Sequence, residues 1–188
     1  EFTSDKLSLH IGVAEQTPFQ DETFNLATAY SFLDHLEDIE TFFLEVFRVL
    51  KPGGVFYSGL TPHKKFSRMI SEVMNQAPTA KNNPLLAREA IAVADNGQYY
   101  ESKFGIDRNC LELAEYTKTV FGGLDATTAH SMAKKIGFTS VFTSLEWFLG
   151  QAKYSKELKD VTEVREYLDL IAPASDSLYK YINVVCVK

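Results

Sequence analysis

The stretch Phe47–Gly59, "FRVLKPGGVFYSG", predicts a helix that passes directly into a buried strand. Lys51 places a positive charge where the last helical carbonyl groups are unpaired, and Pro52 cannot continue a helix. The two glycines that follow can adopt the backbone angles of a tight turn, and "VFYSGL" is an apolar run of strand length. A helix that leads straight into a strand is typical of an α/β sheet.

Strands and helices alternate on both sides of this junction. Before it, alternating apolar residues predict strands at Leu7–Val13 and Phe24–Ser31, and apolar residues at helical spacing predict a helix over Asp38–Leu50. Asp38 is predicted to cap that helix. The remaining predicted elements, in order, are a strand at Val55–Leu60, a mostly helical stretch over 62–121, a helix at Asp125–Lys135 with Asp125 as its cap and its end at Gly137, a strand at Phe138–Trp147, a helix over 161–171 and a strand at Tyr179–Lys188.

This order of elements predicts a single α/β domain with helices on both faces of its sheet. We expect the sheet core to comprise residues 1–61 and 122–188, with 62–121 inserted as a helical lid.

Composition excludes several classes of function. The chain has 188 residues and a formal net charge of −6, and its basic residues form no stripe that could neutralise phosphate groups. No apolar run approaches the ~20 residues of a membrane span. The sequence therefore predicts a cytoplasmic protein that binds neither nucleic acid nor membrane. The two cysteines and four histidines have no metal-ligand spacing, so we expect no metal site.

Three segments together resemble a known family. "GVAEQTPFQDETFNLATAYSFLDHLEDIETFFLEVFRVLKPGG", Gly12–Gly54, resembles the second half of a class I S-adenosylmethionine-dependent methyltransferase. "KKIGFTSV" and the terminal "YINVVCVK" resemble the later strands of the same family. The resemblance implies a Rossmann-like sheet, S-adenosylmethionine as the cofactor and a small organic molecule as the methyl acceptor.

One departure from the family concerns the cofactor site. The family holds the cofactor with a glycine-rich turn after its first strand and an acidic residue that ends its second strand, as other nucleotide-binding sheets do. Neither feature is found in this sequence. We therefore expect the C-terminal portion of a methyltransferase, with an incomplete sheet.

The resemblance implies candidate cofactor-binding residues in two places. Val13 and Ala14 match the pair beside the adenine, although Val13 replaces the carboxylate that would accept a hydrogen bond from it. Ala29 and Tyr30 match positions at the carboxyl end of the family's fourth strand, where ligands bind in open α/β sheets. Without a ligand, Tyr30 can also be read as a core aromatic residue.

His35 is the candidate catalytic residue. It matches the second histidine of the family's paired-histidine turn, whereas Asp34 replaces the first. An imidazole can orient an acceptor or take its proton near neutral pH. The structural alternative is that His35 caps or pairs with the start of the next helix, near Asp38.

The insertion, residues 62–121, is expected to contact the methyl acceptor. In the family, the segment after the fifth strand often covers the acceptor, and its aromatic residues can equally pack against its own helices. The candidate lid residues are Phe66, Tyr99, Tyr100 and Phe104.

Two functions of different class remain open from the sequence. The first is methyl transfer to a small organic acceptor by a chain that lacks part of the cofactor site. The second is a non-catalytic binding or scaffold module that retains the fold. Because an unpaired apolar strand edge recruits a partner, we expect a homodimer through Leu7–Ser31, or else a missing N-terminal half.

Overall fold

The computed structural model describes residues 7–94, 96–154 and 158–188. These residues contain a four-stranded sheet with the spatial order β1-β2-β4-β3. β1 and β2 are parallel, whereas β4 runs antiparallel to both β2 and β3. The strands are β1 (Phe24–Tyr30), β2 (Leu50–Pro62), β3 (Ser140–Phe148) and β4 (Tyr179–Val187).

The helices connect the strands and fill the insertion. They are α1 (Ile39–Val49), α2 (Lys64–Gln76), α3 (Pro84–Ala94), α4 (Asn96–Phe104), α5 (Arg108–Ala114), α6 (Tyr116–Phe121), α7 (Ala126–Ile136), α8 (Gln151–Tyr154) and α9 (Leu158–Leu170). Helices α2 to α6 confirm the predicted helical content of residues 62–121. Within the described residues, none of these helices is both long and apolar enough to cross a bilayer.

The junction between α1 and β2 has the predicted helix cap, but its strand begins earlier than predicted, at Leu50, so that Gly53 and Gly54 lie inside β2. The Asp38 carboxylate accepts a hydrogen bond of 3.0 Å from the Thr41 N–H and so caps α1. Gly53 has a φ of +75°, which favours glycine, and a Cβ on Gly54 would lie 2.8 Å from the Lys51 carbonyl oxygen. The two glycines therefore lie where the register of β2 shifts, between Leu50, which pairs with Phe24, and Val55, which pairs with Leu26.

The main core lies between one face of the sheet and helices α1 and α7. Phe43 of α1 and Phe56 of β2 are both fully buried, with ring centroids 5.2 Å apart. Ile182 of β4 joins this core. Phe148, Tyr179 and Leu168 form a second cluster against α9, on the opposite face, because alternate residues of a strand point to opposite sides.

The predicted strand at Leu7–Val13 is wrong. Residues 7–13 form no strand, all seven are exposed, and their one bridge joins Val13 to Gln16. An isolated strand has no hydrogen-bonding partner for its backbone, and within the described residues the sheet ends at β1. Apolar side chains such as Leu26 consequently remain exposed along the free edge of β1.

The insertion begins and ends at one place. His63, just after β2, bridges to Leu124, and the Leu124 N–H donates to the Pro62 carbonyl oxygen. Gly123 makes this approach possible, because a Cβ there would overlap the Pro62 carbonyl group. The helices α2 to α6 are therefore held over one end of the sheet.

Candidate functional site

A pocket of about 190 Å³ lies at the carboxyl ends of the two parallel strands, under the insertion. In open α/β sheets, ligands bind at this end of the strands. We call it the edge pocket. Its lining residues are Ser31, Asp34, Leu60, Pro62, Phe66, Ser67, Ala92, Val93, Glu115, Lys118, Lys180 and Tyr181.

Two residues with left-handed backbone angles line this pocket. Ser31 follows β1 with a φ of +48°, and Leu60 interrupts β2 with a φ of +54°. Hydrogen bonds hold both: the Ser31 N–H donates to Gly59 O over 2.9 Å, and the Leu60 N–H donates to Asn183 Oδ1 over 3.1 Å. Non-glycine residues rarely adopt such angles, and those that do are concentrated at functional sites. The backbone here is thus shaped around the cavity.

The charged residues of the pocket form two close ion pairs. Lys118 Nζ lies 2.6 Å from Glu115 Oε2, and Lys180 Nζ lies 2.7 Å from Glu89 Oε2. Each lysine charge is therefore balanced by a neighbouring carboxylate.

Asp34 differs from these pairs. It lies in a short 3₁₀ turn, Leu33–His35, and is only 6% exposed. Its Oδ1 atom has no hydrogen-bond partner among the described residues. Burial raises the pKa of the Asp34 carboxyl group above its usual range, because desolvation disfavours the charged form.

His35 lies beside the edge pocket, although it is not among the lining residues. Its Nδ1 is 2.5 Å from the carbonyl oxygen of Ala114, at the end of α5. The alternative that His35 pairs with Asp38 is wrong, because Asp38 binds Thr41 instead. The imidazole connects the turn after β1 to the insertion.

The candidate cofactor residues do not come together in one cavity. Val13 is 63% exposed and Tyr30 is 66% exposed, whereas Ala29 is buried against the core. The reading of Tyr30 as a core residue is therefore wrong, because β1 is an edge strand. Ala14 lines a separate apolar groove of about 290 Å³ between β1 and α1.

These four residues do not by themselves form a site for S-adenosylmethionine. Cofactors of this kind need convergent polar groups for the ribose and for the amino acid portion. Ala14 and Ala29 offer apolar contact alone, and the exposed ring of Tyr30 lies at the free edge of β1. A full cofactor site is not formed within the part of the chain that the structure describes.

The candidate lid residues divide into two groups. Phe66 of α2 is buried and lines the edge pocket. The three aromatic residues of α4 pack against one another, with Tyr100 and Phe104 stacked at 5.6 Å and Tyr99 edge-on to Tyr100 at 5.4 Å. None of these three lines the edge pocket, so the packing alternative describes them better.

Sequence reasoning missed Asp34 and Tyr181 as pocket residues. Asp34 was visible only as a departure from the family's paired-histidine turn, and its lack of a partner depends on residues far away in the chain. Tyr181 lies in an apolar terminal strand, where the pattern indicates a core position. A carboxylate between apolar neighbours, as in "FLDHL", is the one signal that could have identified Asp34.

Comparisons with known proteins support the predicted resemblance. Residues 1–58 match the family model described as a methyltransferase domain. The sterol 24-C-methyltransferase erg6 of Aspergillus fumigatus is 45% identical over 56 residues, which are 30% of this chain and 15% of that protein. The sterol methyltransferase-like 3 protein of Botryococcus braunii is 47% identical over 47 residues, 24% of this chain and 12% of that protein.

Most of the chain is also similar in fold to a solved structure. A SAM-dependent methyltransferase from Archaeoglobus fulgidus is similar with a TM-score of 0.50 and 10% identity, over 98% of this chain and 69% of that one. The class I methyltransferase fold predicted from the sequence is confirmed. The chain spans less than a sixth of the length of the two curated relatives it matches.

Proposed function

We propose that this chain forms the acceptor side of an S-adenosylmethionine-dependent methyltransferase and that the edge pocket binds the methyl acceptor. The position of the pocket supports this most strongly, since it lies at the carboxyl ends of β1 and β2 beneath an inserted helical segment. The methyltransferase-domain match over residues 1–58, which include β1 and most of β2, agrees with this assignment.

S-adenosylmethionine supplies the methyl group in such a reaction. The chain's own residues would hold the acceptor in line with that group, and positioning alone provides much of the rate in methyl transfer. Ser31 and Leu60 line the pocket with their left-handed backbone, and the buried ring of Phe66 lines it as an apolar surface. His35 is our candidate for orienting the acceptor or taking its proton.

A small acceptor fits the pocket better than a large one. Pockets for drug-sized ligands have volumes of about 300–1,000 Å³, and the edge pocket has about 190 Å³. The two curated relatives are named as sterol methyltransferases, and a sterol body would have to extend beyond this cavity. We therefore propose a compact organic acceptor.

A site for S-adenosylmethionine next to β1 requires polar groups beyond those of the described residues. We propose that Val13, Ala14, Ala29 and Tyr30 border the cofactor once residues from outside the described part of the chain complete the site. The free edge of β1 supports this arrangement, because its backbone pairs with β2 on one side only.

Calorimetric titration of S-adenosylmethionine tests the proposal. We expect the complete product of the gene to bind one equivalent with a Kd of about 100 μM or tighter, and Tyr30→Ala to weaken that binding several-fold. Phe142→Ala, on the exposed face of the other edge strand, is the matched control and should leave the Kd unchanged. Absence of saturable binding in a folded gene product would contradict the proposal.

The alternative is a non-catalytic module that retains the fold. The exposed Val13, at a position where the family has a carboxylate, favours this reading. Such a module would bind small molecules in the edge pocket and give no signal with S-adenosylmethionine, so the same titration separates the two functions.

A further inference from the structure

The edge pocket contains one carboxyl group that forms no close ion pair with a described lysine or arginine. Lys118 and Lys180, the lysines that line the pocket, are already paired with Glu115 and Glu89. Asp34 is the remaining acidic group. The nearest basic atom to Asp34 Oδ1 is His35 Nε2 at 4.0 Å, which is beyond hydrogen-bond distance.

A buried carboxyl oxygen without a hydrogen-bond partner, such as Asp34 Oδ1, is costly in a folded protein. The free-energy penalty of leaving a buried polar group unpaired is about 1–3 kcal/mol, and it is larger for a charged group. Native structures contain few such groups, and each calls for an explanation, such as an unfilled ligand site. Asp34 is one of the residues that line the cavity, so a bound molecule would lie against it.

We propose that the edge pocket binds a small amine, with the protonated nitrogen lying against the Asp34 carboxyl group. The proposal rests on the proposed function, because it identifies the chemical class of the methyl acceptor. It concerns binding alone.

The charge and the lining both favour an amine over other small molecules. An anion would meet two lysines that are already neutralised and one carboxyl group that repels it. An alcohol can donate one hydrogen bond to Asp34 but brings no positive charge. An ammonium group supplies both a hydrogen bond and a positive charge. Burial also raises the pKa of Asp34, and a bound cation would offset that shift. Phe66 and Val93 provide an apolar wall for the body of the amine.

Three probes of one shape separate these possibilities. Benzylamine, benzyl alcohol and benzoate differ in charge and share a ring, and each can be titrated into ¹⁵N-labelled protein while backbone amide shifts are recorded. We expect benzylamine to bind at least about tenfold more tightly than benzyl alcohol, with shifts at Ser31, Leu60 and Tyr181, and benzoate not to bind.

Asp34→Asn removes the charge and keeps the shape of the side chain. We expect it to weaken benzylamine binding about tenfold or more and to change benzyl alcohol binding by less than threefold. Asp21→Asn is the control, because Asp21 is exposed, pairs with Arg48 and does not line the pocket. The amide spectrum of Asp34→Asn confirms that the variant is folded.

The proposal is overturned if benzylamine gives no saturable shifts, if Asp34→Asn binds it as tightly as the native protein, or if benzoate binds more tightly than benzylamine. None of these titrations contains S-adenosylmethionine. A protein that binds the amine and not the cofactor would refute the proposed function alone. A protein that binds the cofactor and not the amine would refute the amine proposal alone.

Discussion

At the scale of single residues, Glu45 and Arg48 anchor the loop before β1 to α1. Arg48 donates to both oxygens of Glu45, at 2.8 and 2.6 Å, and Glu45 Oε1 also accepts from the backbone and hydroxyl of Thr17. Glu45 is buried. We expect Glu45→Gln to lower the free energy of unfolding by about 2 kcal/mol at pH 7, measured by urea denaturation, because Arg48 loses its buried partner.

The contribution of Glu45 to the free energy of unfolding should depend on pH. The hydrogen bonds from Arg48 lower the pKa of Glu45 from its ordinary value of 4.5 to about 2 in the folded protein. Its stabilisation is therefore complete above pH 4.5 and is lost as the pH falls towards 2. The difference between the native protein and Glu45→Gln should shrink over this range. Glu72→Gln, in an exposed pair with Arg68, should cost less than about 0.5 kcal/mol throughout.

Substitution of His35 also removes its contact with the Ala114 carbonyl oxygen. We expect His35→Ala to lower turnover by roughly ten- to a thousandfold in the complete gene product, the scale of losing one acid–base or orienting group. His35→Gln keeps a donor for the Ala114 carbonyl oxygen. If Gln restores turnover, His35 acts by positioning the insertion; if it does not, proton transfer is supported. Unchanged turnover in both variants would remove His35 from the site.

Contacts between residues close in the sequence were predictable, and contacts between residues far apart in the sequence were not. Asp38 and Asp125 both cap the helices that the sequence assigned to them, because capping involves backbone groups only two or three residues away. The contact of His35 with Ala114 joins residues 79 positions apart, and no pattern in the sequence indicates it. The absence of a hydrogen-bond partner for Asp34 Oδ1 among the described residues likewise emerges only from the packed structure.

At the scale of elements, the insertion should be less stable than the sheet. Helices α4 and α5 have few buried side chains, and exposed helices on a movable cover open more readily than core strands. Limited proteolysis followed by mass spectrometry should therefore find the first cuts within 62–121. First cuts within 24–60 would contradict the assignment of β1, α1 and β2 to the core.

Periodicity correctly predicted the strands that pair within the sheet. It wrongly predicted a strand at residues 7–13, which pair with no other strand in the part of the chain that the structure describes. β1, α1, α7 and β4 lie close to their predicted positions. Residues 7–13 have the alternating pattern of a strand, yet strand formation also requires a neighbouring strand for its hydrogen bonds. That requirement is a property of the sheet as a whole, which a local pattern cannot report.

At the scale of the whole molecule, the free edge of β1 predicts association. Leu26 is 59% exposed on this edge and lines the adjoining apolar groove. We propose that the 188-residue chain forms a homodimer through residues 7–31, and we expect light scattering to give twice the 21.2 kDa mass of one chain. Leu26→Asp should yield a monomer, whereas Phe142→Asp on the opposite edge strand should not. A stable native monomer at micromolar concentration would contradict this prediction.

Transfer of a labelled methyl group tests the central claim most directly. The complete gene product is incubated with S-adenosylmethionine labelled in its methyl group and with a panel of small amines, alcohols and sterols, and the labelled product is identified by mass spectrometry. We expect label to appear in a small amine and Asp34→Asn to raise the KM for that amine. A folded protein that binds S-adenosylmethionine and labels only sterols would contradict the small acceptor, and one that labels nothing would contradict the methyltransferase assignment.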